Sequence, residues 1–377
     1  MPLIYLIAGE ASGDVLAGRL MAALRARRPD LTFAGVGGAS MAAFGLVSLF
    51  PMQELTLMGF LEVLPRLHQL RRRLRQTVAD IAARRPDLVV TIDSPGYTLR
   101  LLRAVGPLGV KRVHYVAPQV WAWREHRARH YHGLWDQLLC LLPFEPAFFA
   151  RYDLPAEFVG HPVLESGADQ GDATAFRTRH RIDPATRVLT VLPGSRHSEI
   201  SRLLPILGAT LDRLPGVVPV VPIASAMTDA IRAGTQRWSR PPVLVTETSD
   251  KYGAFAASAA ALTKSGTSTL ELAMAGVPMV VTYRVNPLSA AIARRLITVP
   301  YASLLNLLAR QPVVPELIQQ ACTPDRLAVA VGDLLGNANT VATQREHYRD
   351  VLDMLSPAGL RPSDAAAAAV LRVLDQP

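Results

Sequence analysis

Short apolar runs recur along the chain, separated by stretches whose polarity repeats with a helical period. In the first half the runs fall at residues 3–8, 31–36, 88–92, 112–116 and 137–141, with helical periods over 14–27, 61–84 and 97–105. Leu3-Ile4-Tyr5-Leu6-Ile7 is apolar throughout instead of alternating, which marks a strand covered on both faces. The order predicts βαβα units and a doubly wound parallel sheet. Around 158–183 the pattern lapses into Gly, Asp and Pro, a domain boundary. A second series then opens, with strands expected at 188–192, 217–222, 243–246, 260–263 and 279–283. After Pro324 the chain turns helical and ends in an alanine-rich stretch at 363–374. The expected architecture is α/β, with two Rossmann-like domains facing a crevice and C-terminal helices. Residues 1–165 make the first domain and 166–355 the second. A last helix within 356–377 packs back on the first domain or on a partner subunit.

The 377 residues suit two domains at roughly 150 residues each. Half of them are hydrophobic, which supplies two cores and argues against disorder. Cys140 and Cys322 match no metal spacing and cannot form a disulfide framework, which fits a reducing cytosol. The chain opens directly in a core-strand pattern without a basic leader, and no apolar run reaches the ~18 residues that span a bilayer. A net charge of +9 points to an anionic partner: nucleic acid, a phosphorylated substrate or an acidic membrane surface. Aromatic content is only 6%, and the arginines cluster on helices without interleaved aromatics, so nucleic acid is not expected.

The stretch AALTKSGTSTLELAMAGVPMVV, residues 260–281, reads as a buried strand, a turn, a helix over about 267–275 and a second strand. Gly266 allows close approach of a ligand to the backbone. The N–H groups around Ser265, Gly266, Thr267 and Ser268, with the positive end of the helix dipole, suit a phosphate. Glu271, one turn on, is placed for a sugar hydroxyl. The plainer alternative is a capped βα crossover with a solvated glutamate. Earlier, Leu192-Pro193-Gly194-Ser195-Arg196 follows another buried strand. Gly194 and Ser195 offer N–H groups there, and Arg196 offers a bidentate fork for a diphosphate. No Walker lysine spacing is present, which disfavours ATP hydrolysis.

In the first half, Gly9-Glu10-Ala11-Ser12-Gly13-Asp14 lies past the carboxyl end of the first strand, where open α/β sheets bind ligands. It lacks the G-x-G-x-x-G spacing, and its acids oppose a pyrophosphate. A hydroxyl-bearing ligand suits it, as does a simple capped helix start. Gly35-Val36-Gly37-Gly38 also lacks the dinucleotide spacing, so a dehydrogenase is not expected. Asp93, in VTIDSP, ends a buried strand, where a carboxylate can take a proton from an attacking hydroxyl or cap the next helix. Residues 52–75 join an apolar segment (Leu57, Met58, Phe60, Leu61, Val63, Leu64) to Arg66, Arg71, Arg72, Arg73 and Arg75. That combination serves an interfacial membrane contact or an acyl-chain site; a packing helix with a solvated basic face is the alternative. After PQVWAW an Arg/His-rich helix is expected, with His126 and His130 at i,i+4. Arg124, Arg127 and Arg129 crowd that pair and only Glu125 is acidic, so no metal is expected. His161, in FVGHP, either meets a ligand or packs in the hinge.

Taken in order from Ile7 to about Gln320, the segments GEASGD, MGFLEVLP, VTIDSP, PQVWAW, LLPFE, FVGHP, LPGSR, SGTSTLELA and SLLNLLA resemble the lipid A disaccharide synthase family. The resemblance implies the two-domain GT-B glycosyltransferase fold and a reaction without metal or other cofactor. It implies inverting transfer from UDP-2,3-diacylglucosamine to 2,3-diacylglucosamine 1-phosphate (lipid X), with a β-1,6 bond formed and UDP released. The partners implied are the acylated UDP-sugar, lipid X and the cytoplasmic face of the inner membrane of a Gram-negative bacterium; a homodimer stays open. By position, the family's functional residues fall on Glu10, Asp93, Arg196, Glu271 and Asn306. Asp93 or Glu10 would be the base, Arg196 and Gly266–Ser268 would serve the leaving diphosphate, and Glu271 would hold the ribose. Ser12, Gly13, Met58, Phe60, Leu61 and Asn306 would meet the acceptor and its acyl chains. The chain departs from the family pattern at Leu305, where the family has a proline before the asparagine, at Gln119, where the family has a serine after the proline, and at Arg310-Gln311-Pro312. The nearest enzymatic rival is a UDP-sugar 2-epimerase on the same fold, which needs no acyl-binding surface. From another class, a basic nucleic-acid-binding protein rests on the charge alone.

Overall fold

Apolar runs buried on both faces build two sheets, each of six parallel strands. The computed structural model describes residues 1–55, 60–223 and 227–376, less the side chains of 60–67, 288–289 and 292–294. The chain divides into a first unit, Met1–Pro162 with Leu355–Pro377, and a second, Val163–Met354.

The first unit contains β1 (Leu3–Ala8), β2 (Thr32–Val36), β3 (Leu88–Ile92), β4 (Lys111–Tyr115), β5 (Gln137–Cys140) and β6 (Ala156–Phe158), in the order β2-β1-β3-β4-β5-β6. Its helices are α1 (Ala11–Arg27), α2 (Ala39–Ala42), α3 (Phe60–Arg84), α4 (Pro95–Val105) and α5 (Glu145–Ala150), closed by the helix Pro362–Asp375. From Ile4 to Ala8 every residue of β1 is buried, as a strand covered by helices on both faces must be. β1 leads to β2 on one side while β3 lies on the other, so strand order reverses there, with Ala8 opposite Ile92. The loops leaving β1 and β3 are therefore neighbours at the sheet's carboxyl edge, the place where such sheets bind ligands.

Polar contacts fix α3 on this sheet: Tyr5 donates its hydroxyl to Asp80 at 2.8 Å, and the Thr77 and Tyr97 hydroxyls meet at 2.8 Å. The closing helix lies on α1 and buries Ala366, Ala367, Ala369, Val370 and Val373. Arg27–Asp364 at 3.5 Å and Arg28–Asp375 at 3.1 Å fringe that contact. Exposed pairs contribute little, being solvated and screened. A fully buried valine contributes about 1.5–3 kcal/mol, so the apolar stripe decides the docking.

The second unit contains β7 (Arg187–Leu192), β8 (Val217–Pro222), β9 (Val243–Val245), β10 (Ser258–Lys264), β11 (Met279–Tyr283) and β12 (Glu316–Ile318), in the order β12-β11-β10-β7-β8-β9. Here the reversal falls between β7 and β10, with Thr263 opposite Leu192. Each unit thus has one switch point, and each brings two of the loops singled out from sequence side by side.

The edge strands β6 and β12 were not expected; Ala-Glu-Phe and Glu-Leu-Ile are too short and too polar to register as apolar runs. The Arg/His-rich segment is also a correction. It forms a 3₁₀ helix, Glu125–His130, whose turns close from Arg127 N–H to Arg124 O (2.9 Å) and Tyr131 N–H to Ala128 O (3.0 Å). With about three residues per turn the i,i+4 stacking of His126 and His130 is lost. Among the described residues, no helix is long and apolar enough to cross a membrane.

Candidate active site

At the switch point of the second unit, two turns lie side by side. Gly194 has φ +113°, and a Cβ on it would stand 2.6 Å from Glu199 Oε2, so only glycine passes here. Arg196 follows as the N-cap of the helix His197–Leu211, its side chain 71% exposed. The neighbouring turn is pinned from below: Ser265 donates its hydroxyl to Ala302 O at 2.6 Å and its N–H to Thr282 O at 3.1 Å. Thr269 donates its hydroxyl to Gly266 O at 2.7 Å. Among the described residues, the N–H groups of Gly266, Thr267 and Ser268 have no acceptor.

The short helix Ser268–Met274 carries Glu271, whose carboxylate accepts from Lys251 Nζ at 2.8 and 2.7 Å and from the Tyr252 hydroxyl at 3.2 Å. Oε1 takes both the lysine and the tyrosine. A carboxylate offers about four lone-pair sites, so Oε2 keeps room for one further donor. Lys251 and Tyr252 gave no signal in the sequence. They reach Glu271 from a helix twenty residues earlier, Thr248–Ala257.

In the first unit Asp93 and Ser94 both adopt left-handed backbone, φ 50° and 47°. Two consecutive non-glycine residues in that region are strained, and such strain persists only where the surroundings over-determine it. Asp93 N–H is held by Tyr115 O at 2.9 Å, Thr98 donates its hydroxyl to Asp93 O at 2.7 Å, and Ser94 N–H donates to Asp93 Oδ1 at 2.7 Å. From the other side Gly9 presses in: a Cβ there would lie 2.5 Å from Ser94 Oγ. Burial pushes the Asp93 carboxyl above its ordinary value, with the Ser94 N–H working the other way.

The neighbouring loop places Glu10 and Ser12 on the surface. Gly13 is buried, and its missing side chain lets α1 settle against Ala8 and Ile92. Asp14 is also buried; it accepts from the N–H groups of Gly38 (2.7 Å), Ser40 (2.8 Å) and Met41 (3.2 Å), which commits it to holding α2.

Two sequence expectations change, and one open choice narrows. Asn306 is 1% exposed, donating to Val314 O and Glu316 Oε1 and accepting from Val314 N–H at 2.8–2.9 Å. Its amide ties the 303–316 segment of the second unit together and is spent within that segment. Arg73 leaves the basic surface cluster: it forks onto Glu54 at 2.7 and 2.6 Å, bonds Gln76 and covers the Phe50 ring at 4.7 Å. Arg71, Arg72 and Arg75 stay exposed. His161, for which the sequence left a ligand contact and packing both open, is buried with its pKa lowered to about 4 by desolvation. Leu57 and Met58 lie outside the described residues, as do the side chains of Phe60, Leu61, Val63, Leu64 and Arg66.

The first unit also holds a buried acid that had no assigned role. Glu145, in LLPFE, accepts from Trp121 Nε1 and from the N–H groups of Leu141 and Leu142, each at 3.0 Å, and desolvation raises it to about 7. It clamps the Gln119–Ala122 turn to the end of β5.

A family model described as Lipid-A-disaccharide synthetase matches residues 4–370. The lipid-A-disaccharide synthase of Gluconobacter oxydans (strain 621H) is 56% identical over 379 residues, covering 100% of this chain and 91% of its own. That of Granulibacter bethesdensis is 54% identical over 391 residues, covering 100% and 99%. Among solved structures, a UDP-GlcNAc 2-epimerase from Neisseria meningitidis bound to UDP-GlcNAc superposes with TM-score 0.64 at 12% identity, covering 99% of each chain. A calicheamicin glycosyltransferase gives 0.59 at 17% identity, covering 99% and 98%. At such identities the two structures speak for the fold alone, which is the two-domain α/β GT-B fold.

Proposed function

The chain belongs to the lipid-A-disaccharide synthase family of glycosyltransferases, and on that premise we propose that it joins UDP-2,3-diacylglucosamine to 2,3-diacylglucosamine 1-phosphate. The products are the β-1,6-linked disaccharide 1-phosphate and UDP. The acceptor's 6-hydroxyl oxygen bonds to the anomeric carbon from the face opposite the diphosphate. The bond to the diphosphate breaks, its electron pair leaves with UDP, and the hydroxyl proton passes to a carboxylate. The observation that carries this reading is the pair of turns at the β7/β10 switch point, with unaccepted N–H groups on one and Arg196 on the other.

The roles follow from charge and reach. Arg196 and the N–H groups of Gly266, Thr267 and Ser268 take the charge that develops on the leaving diphosphate, which lowers the barrier more than it tightens the ground state. Gly194 and Ser195 shape that turn, and Glu271 receives a ribose hydroxyl at Oε2. Asp93 is the base: burial makes its carboxylate hold a proton more tightly than an ordinary one, which suits general-base work near neutral pH. Glu10, on the adjoining loop, is the alternative. Ser12, Met58, Phe60 and Leu61 are assigned to the acceptor and its acyl chains, and the exposed arginines of α3 to an anionic bilayer at the cytoplasmic face of the inner membrane.

The test is incubation of the purified chain with UDP-2,3-diacylglucosamine, with and without 2,3-diacylglucosamine 1-phosphate. Equal amounts of UDP and disaccharide 1-phosphate, formed only when both substrates are present, are expected. UDP release or sugar epimerisation that ignores the acceptor would overturn the reading.

A further inference from the structure

Glu199 is a carboxylate set against a turn assigned to a diphosphate, which electrostatics alone disfavours. It is nevertheless built in: 3% exposed, in the first turn of the helix His197–Leu211, with Gly194 stripped of a side chain to make room for it. Its Oε2 faces Ser195 N–H at 3.4 Å. Its Oε1 lies 3.1 Å from Lys264 Nζ and 3.6 Å from Arg196 Nη1, yet has no directed hydrogen bond, so charge holds this oxygen. One buried oxygen therefore gathers two cations, one from the turn after β7 and one from the end of β10, and the three groups sum to a single positive charge.

Lys264 is the informative partner. It ends β10, its side chain 19% exposed, between Glu199 and the Tyr283 ring at 5.5 Å. Its ammonium lies 3.6 Å from the point where a Gly266 side chain would begin. That puts a cation directly against the turn whose N–H groups have no acceptor.

We propose that Lys264 is a second cation for the diphosphate of the nucleotide donor, and that Glu199 is a positioning residue that holds Lys264 and Arg196 together over the paired turns. The proposal rests on the reading that the second unit holds the donor. Glu199 lowers the net charge of the site but fixes where its positive charge sits. Two long, flexible side chains that are already ordered lose less freedom when the ligand arrives.

Calorimetry on the full chain with UDP and with uridine tests this, since only UDP carries the diphosphate. Lys264→Met is expected to weaken UDP binding roughly tenfold or more, the scale of one lost charge-assisted bond, and to leave uridine binding unchanged. Lys264→Arg should retain most of the UDP affinity. Glu199→Gln keeps the shape and removes a negative charge beside an anion. Charge counting alone has it bind UDP more tightly; positioning has it bind more weakly, with the cost of Arg196→Ala reduced in its background. Unchanged UDP affinity in Lys264→Met, equal losses for UDP and uridine, or tighter UDP binding by Glu199→Gln would each overturn the proposal. Failure of the unaltered chain to bind UDP would instead overturn the donor reading beneath it.

Discussion

Asp93 joins two properties in one residue, a strained left-handed backbone and a carboxyl raised by burial. In its proposed role as the base it must be deprotonated, so turnover is expected to fall as pH drops through its raised pKa. The acid limb of kcat should therefore lie above the ordinary aspartate value of about 3.9, and a pH–rate profile with its limb at or below that value would remove Asp93 from the role. The residue itself was legible, because a carboxylate ending an apolar run is visible in sequence. Its strain was not, because Tyr115 O, Thr98 and the side-chain-less Gly9 enforce it, and two of those arrive from other segments. Asn306 shows the reverse case. Family resemblance alone assigns it to the acceptor, and burial against Val314 and Glu316 spends its amide internally.

α3 shows how far a periodic pattern carries at the scale of an element. Its extent follows the sequence expectation to within a residue, but which arginines face solvent does not. Arg73 turns toward Glu54 and Phe50, both ahead of the helix, and no helical period reports that. The two arginines should separate experimentally. Arg72→Glu is expected to weaken binding to anionic vesicles, most at low salt, with thermal stability unchanged. Arg73→Glu should lower the melting temperature, since it sets like charges against one another at Glu54. Vesicle binding that ignores Arg72→Glu would make this face of α3 a solvated one. The 3₁₀ segment Glu125–His130 and the edge strands β6 and β12 were illegible for a related reason. Short elements are chosen by their neighbours, and their own residues carry little periodicity.

At the scale of the whole molecule, two parallel α/β sheets were legible from the long apolar runs, whereas the strand orders, whose reversals bring each pair of loops together, are set by the packing of the sheets. What the runs could not give was the set of buried titrating groups. His114 and His161 are each lowered to about 4 from 6.5 by desolvation, so both are neutral in the fold and take protons on unfolding. The first unit therefore loses stability as pH falls from 6.5 toward about 4. Glu145, raised from 4.5 to about 7, works oppositely: its contribution is present at acid pH and is lost as pH rises through that window. His114→Phe keeps a ring against Trp135 and removes one titration. Its melting temperature should fall less than the parent's between pH 6.5 and 4; an equal fall would show that His114 does not drive the acid loss.

The proposed reaction divides the labour, with the donor bound in the second unit and the proton removed in the first. Turnover of Asp93→Asn, read beside its UDP affinity, tests it most directly. The substitution keeps the shape and a hydrogen-bonding oxygen and removes the charge that accepts the proton. Loss of kcat by about 10²–10⁴-fold, the usual worth of general-base assistance, with UDP affinity unchanged, is the result expected. Near-parental turnover would contradict the account, and if Glu10→Gln were then inactive the base would be Glu10.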